Sequence, residues 1–276
     1  MSAPAAPVDA SGAPWPDGAP PRRIVSLVPS VTETLCALGL GEALVGVTVY
    51  CVEPAAIVRG KTKIGGEKNP DLEKIRSLVP DLVVANVEEN LREHVDALRA
   101  WGIPVWVTYP RTVAEGITMI RELGAVTGTA ARAAAIADPL EALLARVEAA
   151  GRARRPARVF YPIWRGPYMT ISADTYVHDM LRACGAANVF GDRPERYPTV
   201  TLPEVAAAAP EVIVLPDEPF RFRRVHARDF DPWPALPAVR DGRIHFVDGK
   251  LFCWYGPRIA DALARLPALF ASARGG

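Results

Sequence analysis

The run Arg23-Ile24-Val25-Ser26-Leu27-Val28-Pro29-Ser30-Val31-Thr32-Glu33-Thr34 decides the fold. Apolar residues lead into a Pro-Ser turn, and a helical pattern containing Leu35, Cys36 and Leu38 then runs to Gly39. The pattern predicts a buried β-strand followed at once by a helix whose first N–H groups lack partners within the helix. Open α/β sheets bind their ligands at such strand-to-helix mouths. Ser30 or Thr32 is expected to cap the helix.

Working outward, Ala43–Thr48 reads as a second strand and Lys63-Ile64-Gly65-Gly66-Glu67-Lys68-Asn69-Pro70 as a loop. Its two glycines allow unusual backbone angles or close approach to a ligand. A helix from Asp71, a strand at Asp81–Ala85, a helix at Leu91–Trp101 and a strand at Ile103–Val107 follow at α/β spacing. From Thr112 to about Ala150 apolar residues recur at helical spacing, interrupted by Gly124 and Gly128, and the later part reads as one long amphipathic helix. A second series then opens with a strand at Ala157–Tyr161. It continues with a helix at Asp174–Cys184, capped by Asp174 or Thr175, and a helix at Leu202–Ala209. Strands at Glu211–Leu215 and Arg243–Val247 and a helix at Pro257–Phe270 complete it. Leu72-Glu73-Lys74-Ile75 before Pro80-Asp81-Leu82 echoes Leu202-Pro203-Glu204-Val205 before Pro210-Glu211-Val212. The echo admits two readings, a true structural repeat or a unit common to α/β proteins.

Composition bounds the function. The chain has 276 residues, half of them apolar, and a formal charge of +1, which gives no electrostatic case for nucleic acid or an anionic membrane. No apolar run reaches membrane-spanning length. The first 22 residues, rich in Ala and Pro, read as a disordered tail without the features of a secretory signal. That points to the cytoplasm for the sequence as written, and to the periplasm or cell surface if a signal has been removed. Cys36, Cys51, Cys184 and Cys253 form no C-x-x-C pair, and the sequence leaves a Cys184–Cys253 bridge open.

Arg23–Leu38, Tyr50–Pro54, Gly65–Val84 and Asp174–Phe190 together resemble the substrate-binding proteins of vitamin B12, haem and siderophore ABC importers, most closely the cobalamin-binding branch. The resemblance covers about Arg23 to Phe270. It implies two α/β lobes (23–111 and 156–276) joined by a stiff helix within 112–155, a tail at 1–22, and a ligand cleft between the lobes. It also implies no catalysis and no catalytic cofactor, a corrinoid such as cobalamin as ligand, and a monomer that is either the receptor of an ABC importer, with the permease as partner, or a soluble relative that binds and holds the ligand.

On that resemblance the ligand-binding positions are Pro29, Ser30, Tyr50, Gly65, Gly66, Trp164, Tyr168, Tyr197, Phe252, Trp254 and Tyr255. Core packing is the competing reading for aromatic residues, and it is preferred for Trp106 and Phe160 inside strands. His178, His226 and His245 are candidate axial ligands of a bound metal, weighed against ordinary packing, and Cys253 is a further candidate as thiolate. Glu73 matches one of the family's two permease-docking acids. At the second position stands Pro203, with the acid displaced to Glu204, about 100° around a helix. The other reading of both acids is favourable charge in a first helical turn.

Haem or a ferric siderophore is the alternative ligand, the latter served by Arg165, Arg193, Arg196 and Arg258. An α/β enzyme is the reading of another class. No G-x-S-x-G, G-x-G-x-x-G, Walker or H-E-x-x-H motif supports it, and Ser26, Ser30 and Glu33 are its only candidate group.

Overall fold

The computed structural model describes residues 7–16 and 18–273. It divides into two compact units. The first takes in residues 1–110, 116–139 and 255–257, and the second residues 111–115, 140–254 and 258–276.

The opening run of unit 1 forms strand β1 (Ile24–Ser26) and helix α1 (Pro29–Ala37). Then come β2 (Leu44–Val47), α2 (Ala55–Val58), β3 (Thr62–Lys63), α3 (Leu72–Ser77), β4 (Leu82–Asn86), α4 (Arg92–Ala100) and β5 (Val105–Thr108). The strands make one parallel sheet in the order β3-β2-β1-β4-β5, with Val25 opposite Val83 and Val83 opposite Val105. All five residues of β4 are buried, as expected of a parallel strand covered on both faces.

Helices α5 (Val113–Val126) and α6 (Ala130–Arg152) follow. Gly124 does not interrupt α5. It gives room for α6, because a Cβ there would lie 2.3 Å from that of Ala133. Gly128, at φ +69°, makes the turn between the two helices. The expected long helix is present. Pro139 lies inside it, removing one backbone hydrogen bond, and the division between the units falls there.

Unit 2 contains β6 (Ala157–Phe160), β7 (Tyr168–Met169), α7 (Tyr176–Ala183), β8 (Ala186–Asn188), β9 (Thr199–Val200) and α8 (Leu202–Ala207). After them come β10 (Val212–Pro216), a 3₁₀ turn at Arg224–Phe230, α9 (Pro237–Arg240), β11 (Ile244–Val247), α10 (Lys250–Cys253) and α11 (Ile259–Ala271). Its parallel sheet runs β11-β10-β6-β8, and β7 pairs antiparallel with β9. Its core is aromatic, built around Phe160, Phe190, Phe222 and Phe230.

The echo in the sequence is a repeat in the structure. β5-β4-β1-β2 in unit 1 has the same strand order as β11-β10-β6-β8 in unit 2. Each unit has a short helix, a non-glycine residue with positive φ, a proline and a buried strand. The positive-φ residues are Val79 (φ 46°) and Ala209 (φ 45°). The cause is shared, since a helix C-terminus favours the left-handed conformation and a following proline disfavours the right-handed helical one. An arginine from the first strand region of each unit seals the helix end. Arg23 donates to the Leu78 carbonyl at 2.6 Å, and Arg158 to that of Ala208 at 2.6 Å.

Two expectations are corrected, and the bridge left open is resolved. Residues 7–16 are docked where a loose tail was expected. Asp9 accepts from Arg99 at 2.7 Å and from the Val107 amide at 3.0 Å, and Trp15 meets Trp106 edge-on at 6.1 Å. The Ala10 amide donates to the Val107 carbonyl, so the segment covers an otherwise open sheet edge. Neither Ser30 nor Thr32 caps α1. Val28 is the N-cap without a side-chain bond, and Pro29 takes the first turn, where its missing N–H costs nothing. Cys184 and Cys253 are not bridged, and all four cysteines are thiols. At α7 Thr175 is the cap, its Oγ1 accepting from the His178 amide at 3.2 Å.

Candidate functional site

In unit 1 the mouth after β1 is set by a buried knot of polar groups. Thr32 Oγ1 lies 2.8 Å from Ser26 Oγ, 3.0 Å from the Val28 carbonyl and 3.1 Å from Cys51 Sγ, and Thr48 Oγ1 lies 3.1 Å from the same sulfur. Burial pushes the Cys51 thiol pKa up, against hydrogen bonds from Thr32 and Thr48. Cys51 is therefore a protonated anchor of the loop at 48–54. Lys63 Nζ also donates to its carbonyl at 3.1 Å.

The anchored loop presents Tyr50, which is 59% exposed. Beside it Gly65 has φ +95°, and its carbonyl accepts from the Val49 amide. A Cβ on Gly66 would lie 2.5 Å from Asn69 Oδ1, so the absence of a side chain leaves room for Asn69, and it would meet the Tyr50 ring in ordinary contact at 3.4 Å. Asn90 ties this loop to the mouth by donating to the Glu67 carbonyl at 3.1 Å and the Leu27 carbonyl at 3.4 Å. Tyr50, Gly65, Gly66 and the turn at Pro29 are thus brought together. Pro29 and Ser30 themselves are buried, and the Ser30 carbonyl accepts from Thr34 Oγ1.

In unit 2 the chain after β6 turns back on itself, with the Trp164 and Met169 backbones exchanging hydrogen bonds. Trp164 stands at this bend, 44% exposed, and meets Phe220 edge-on at 5.5 Å. Phe220 in turn meets Phe222 at 4.8 Å, and His226 lies 5.5 Å from Phe220. Tyr197 is 39% exposed, with the Arg196 guanidinium 5.6 Å from its ring centre.

The other aromatic candidates are core residues. Tyr168 is 8% exposed, and its hydroxyl donates to Asp229 Oδ2 at 2.6 Å. Arg165 grips the same carboxylate at 2.6 and 3.0 Å, holding its pKa below the ordinary range. Phe252 is fully buried against Tyr161, ring centres 5.0 Å apart. Trp254 is buried between the Lys250 and Arg258 cations, 5.8 and 5.1 Å from its ring. Tyr255 is buried in the three-residue return of the chain to unit 1, next to Gly256. A Cβ on Gly256 would strike Thr34 Oγ1 at 2.1 Å.

The metal-ligand candidates are committed elsewhere. His226 Nδ1 accepts from the Arg223 amide at 3.0 Å. His178 is half-buried beside Asn188, and His245 lies within β11. Burial lowers the pKa of both. Cys253 Sγ donates to Glu218 Oε1 at 3.0 Å, and burial raises the pKa of that carboxyl. Among the described residues no three His, Cys, Asp or Glu side chains are grouped to hold a metal ion, and no helix is long and apolar enough to cross a membrane.

The two acids differ as their positions imply. Glu73 is 75% exposed in the first turn of α3, with Arg76 at 3.9 Å. Glu204 is held at the start of α8, where its Oε2 accepts from the Thr201 amide and hydroxyl, both at 2.8 Å, and its Oε1 from Arg193 at 2.8 Å. These bonds, the Thr201 amide first, lower its pKa to about 2.

Phe220, Phe222 and the depression beside them were not picked out from sequence. The depression, about 420 Å³, lies at the ends of β10 and β11. Its one available signal was the alternation Phe220-Arg221-Phe222-Arg223 directly after a buried strand.

The sequence profile of the periplasmic binding protein family matches residues 24–251. This chain belongs to that family. It is a substrate-binding protein of the class that serves ABC importers. The vitamin B12-binding protein of Pectobacterium carotovorum subsp. carotovorum is 27% identical to it over 241 residues, 87% of this chain and 84% of the relative. The periplasmic vitamin B12 binding protein BtuF of Vibrio cholerae has a similar structure, with a TM-score of 0.83 at 24% identity over 94% of this chain and 100% of that one. The periplasmic heme-binding protein RhuT of Roseiflexus sp. RS-1 gives 0.82 at 27% identity, over 93% of this chain and 99% of that one.

Proposed function

We propose that the protein is the receptor of a corrinoid importer, binding a cobalamin-like ligand through exposed aromatic faces and performing no catalysis. The observation that carries the reading is Trp164, 44% exposed and in edge-on contact with Phe220 at 5.5 Å. Tyr50, 59% exposed on the loop anchored by Cys51, offers a second aromatic face. Held rings lose little freedom when they meet a large, partly apolar ligand. Cobalamin brings its own axial ligands to cobalt, so its site needs no metal-binding side chain. The engagement of His226, Cys51 and Cys253 fits that demand. The name of the Pectobacterium relative supports the same ligand.

Haem is the second reading, supported by the name of the Roseiflexus protein and by the exposed Tyr50 phenol, since tyrosine can ligate haem iron. A siderophore is less well supported, because Arg165, Arg193 and Arg196 already pair with Asp229, Glu204 and Asp174. For docking to a permease the reading relies on Glu73, since Glu204 is occupied in its own helix.

Titration of the purified protein with cobalamin, cobinamide, haem and a ferric siderophore tests the reading. Tyr50→Phe separates its two forms, because stacking on a corrinoid survives the change and ligation of iron does not. Fractionation of the native host shows where the protein works.

A further inference from the structure

We infer that the depression in unit 2 is a subsite for an anionic arm of the ligand, and that the ligand is therefore a flat group carrying such an arm. This rests on the proposed binding of a tetrapyrrole-type ligand and goes beyond it by naming a chemical feature that the ligand must have.

The argument starts from the lining. Leu215 and Val247, at the ends of β10 and β11, form an apolar floor, and Phe222 and Phe246 form aromatic walls. Phe246 is 40% exposed, although it is a large apolar residue on a strand. Arg221, Arg223 and Asp217 are the charged residues of the lining. The Asp217 carboxylate already accepts from the Gly249 amide at 2.8 Å. Among the described residues Arg221 and Arg223 are not neutralised by a carboxylate, a state they share with Arg224 and Arg228 in the turn that follows. Arg165, Arg182, Arg193, Arg196, Arg240 and Arg243 each pair with a carboxylate, whereas among the described residues Arg221 and Arg223 make no ion pair. Two guanidinium groups over an aromatic-walled hollow suit a phosphate or carboxylate attached to an apolar group.

The hollow is also continuous with the proposed stacking face. Trp164, Phe220 and Phe222 form an unbroken series of ring contacts at 5.5 and 4.8 Å within unit 2, and Phe222 is the wall of the hollow. A ligand stacked on Trp164 thus has a cationic hollow beside it. Two sources supply the arm, the phosphodiester tail of a complete corrinoid or the carboxylate of a haem.

The test is calorimetry on the full chain with cobalamin, cobinamide (which lacks the phosphodiester tail), haem and haem dimethyl ester. The proteins are the wild type, Arg221→Ala, Arg223→Ala and the double variant. Both arginines are exposed, so the variants should fold, which circular dichroism checks. The expected result is that the armed member of one pair binds about tenfold or more tightly than its armless partner. The preference disappears in the double variant, while affinity for the armless partner is unchanged. Equal affinities within both pairs, or a preference that survives the double variant, overturns the inference. If none of the four binds, the tetrapyrrole reading fails by itself, and phenyl phosphate followed by ligand-observed NMR decides the subsite. Binding by the wild type and loss in the double variant support an aromatic-anion subsite, and no binding by the wild type overturns it.

Discussion

Trp164 and Phe220 meet edge-on, their ring centres 5.5 Å apart and their planes at 70°. Phe220 supports Trp164, which remains 44% exposed, and Phe222 supports Phe220 in turn. Removing Phe220 should leave Trp164 in place in the chain but loosen its ring. An edge-to-face pair is worth about 0.5–1.5 kcal/mol beyond area burial. Phe220→Ala is therefore expected to weaken cobalamin binding by roughly 2- to 12-fold, read by calorimetry, while the aromatic circular dichroism of Trp164 diminishes.

Val79 offers a test of the repeat. It is 71% exposed and holds φ 46°, which a β-branched residue adopts at a cost. Val79→Gly removes the strain and loses little burial, against the greater freedom of glycine in the unfolded chain. The net expectation is a gain of about 0.5–1 kcal/mol in unfolding free energy, read from urea titration. A loss would show that the conformation is not strained.

Much of this architecture is legible in the sequence because it depends on local rules. Apolar runs of strand length, prolines after short helices, Gly128 before α6 and the basic run ending in Pro156 after it mark β1, β4, β6, β10 and both ends of α6. The short strands β3, β7, β8 and β9 escape such reading, because two or three residues carry no period. Docking of residues 7–16 escapes it for another reason. Asp9 finds Arg99 and the Val107 amide far along the chain, and nothing local announces a partner at that distance. The candidate site divides in the same way. Tyr50, Trp164 and Tyr197 lie in loops and are exposed. Tyr168, Phe252 and Trp254 also adjoin loops, yet they pack inside against a partly buried carboxylate, a ring and a pair of cations.

His178 and His245 give a pH dependence with a definite sign. Burial is the first cause lowering the pKa of both. For His178 the Arg182 charge adds to it and Asp179 opposes it, and for His245 Arg243 adds to it. The unfolded chain therefore binds more protons than the folded one just below the ordinary histidine pKa. Stability should fall as pH drops from 7 through that range. Thermal unfolding midpoints between pH 7 and pH 5 should decline, and His178→Asn with His245→Gln should flatten the decline.

Glu73 and Glu204 should separate in two assays. Glu73→Arg leaves the unfolding midpoint nearly unchanged and abolishes ligand delivery to the importer without weakening ligand binding. Glu204→Ala removes the side-chain half of a capping box, the acceptor of the Thr201 amide and hydroxyl, together with the partner of Arg193, so its midpoint falls. A Glu73→Arg variant that still delivers ligand would show that docking does not use this acid.

The most direct test of the account is titration of the wild-type protein and Trp164→Ala with cobalamin, followed by calorimetry. Saturable one-to-one binding at micromolar concentration or tighter, weakened about tenfold or more in Trp164→Ala, is the predicted result. Absence of binding by the wild type, or an affinity unchanged by Trp164→Ala, would contradict it.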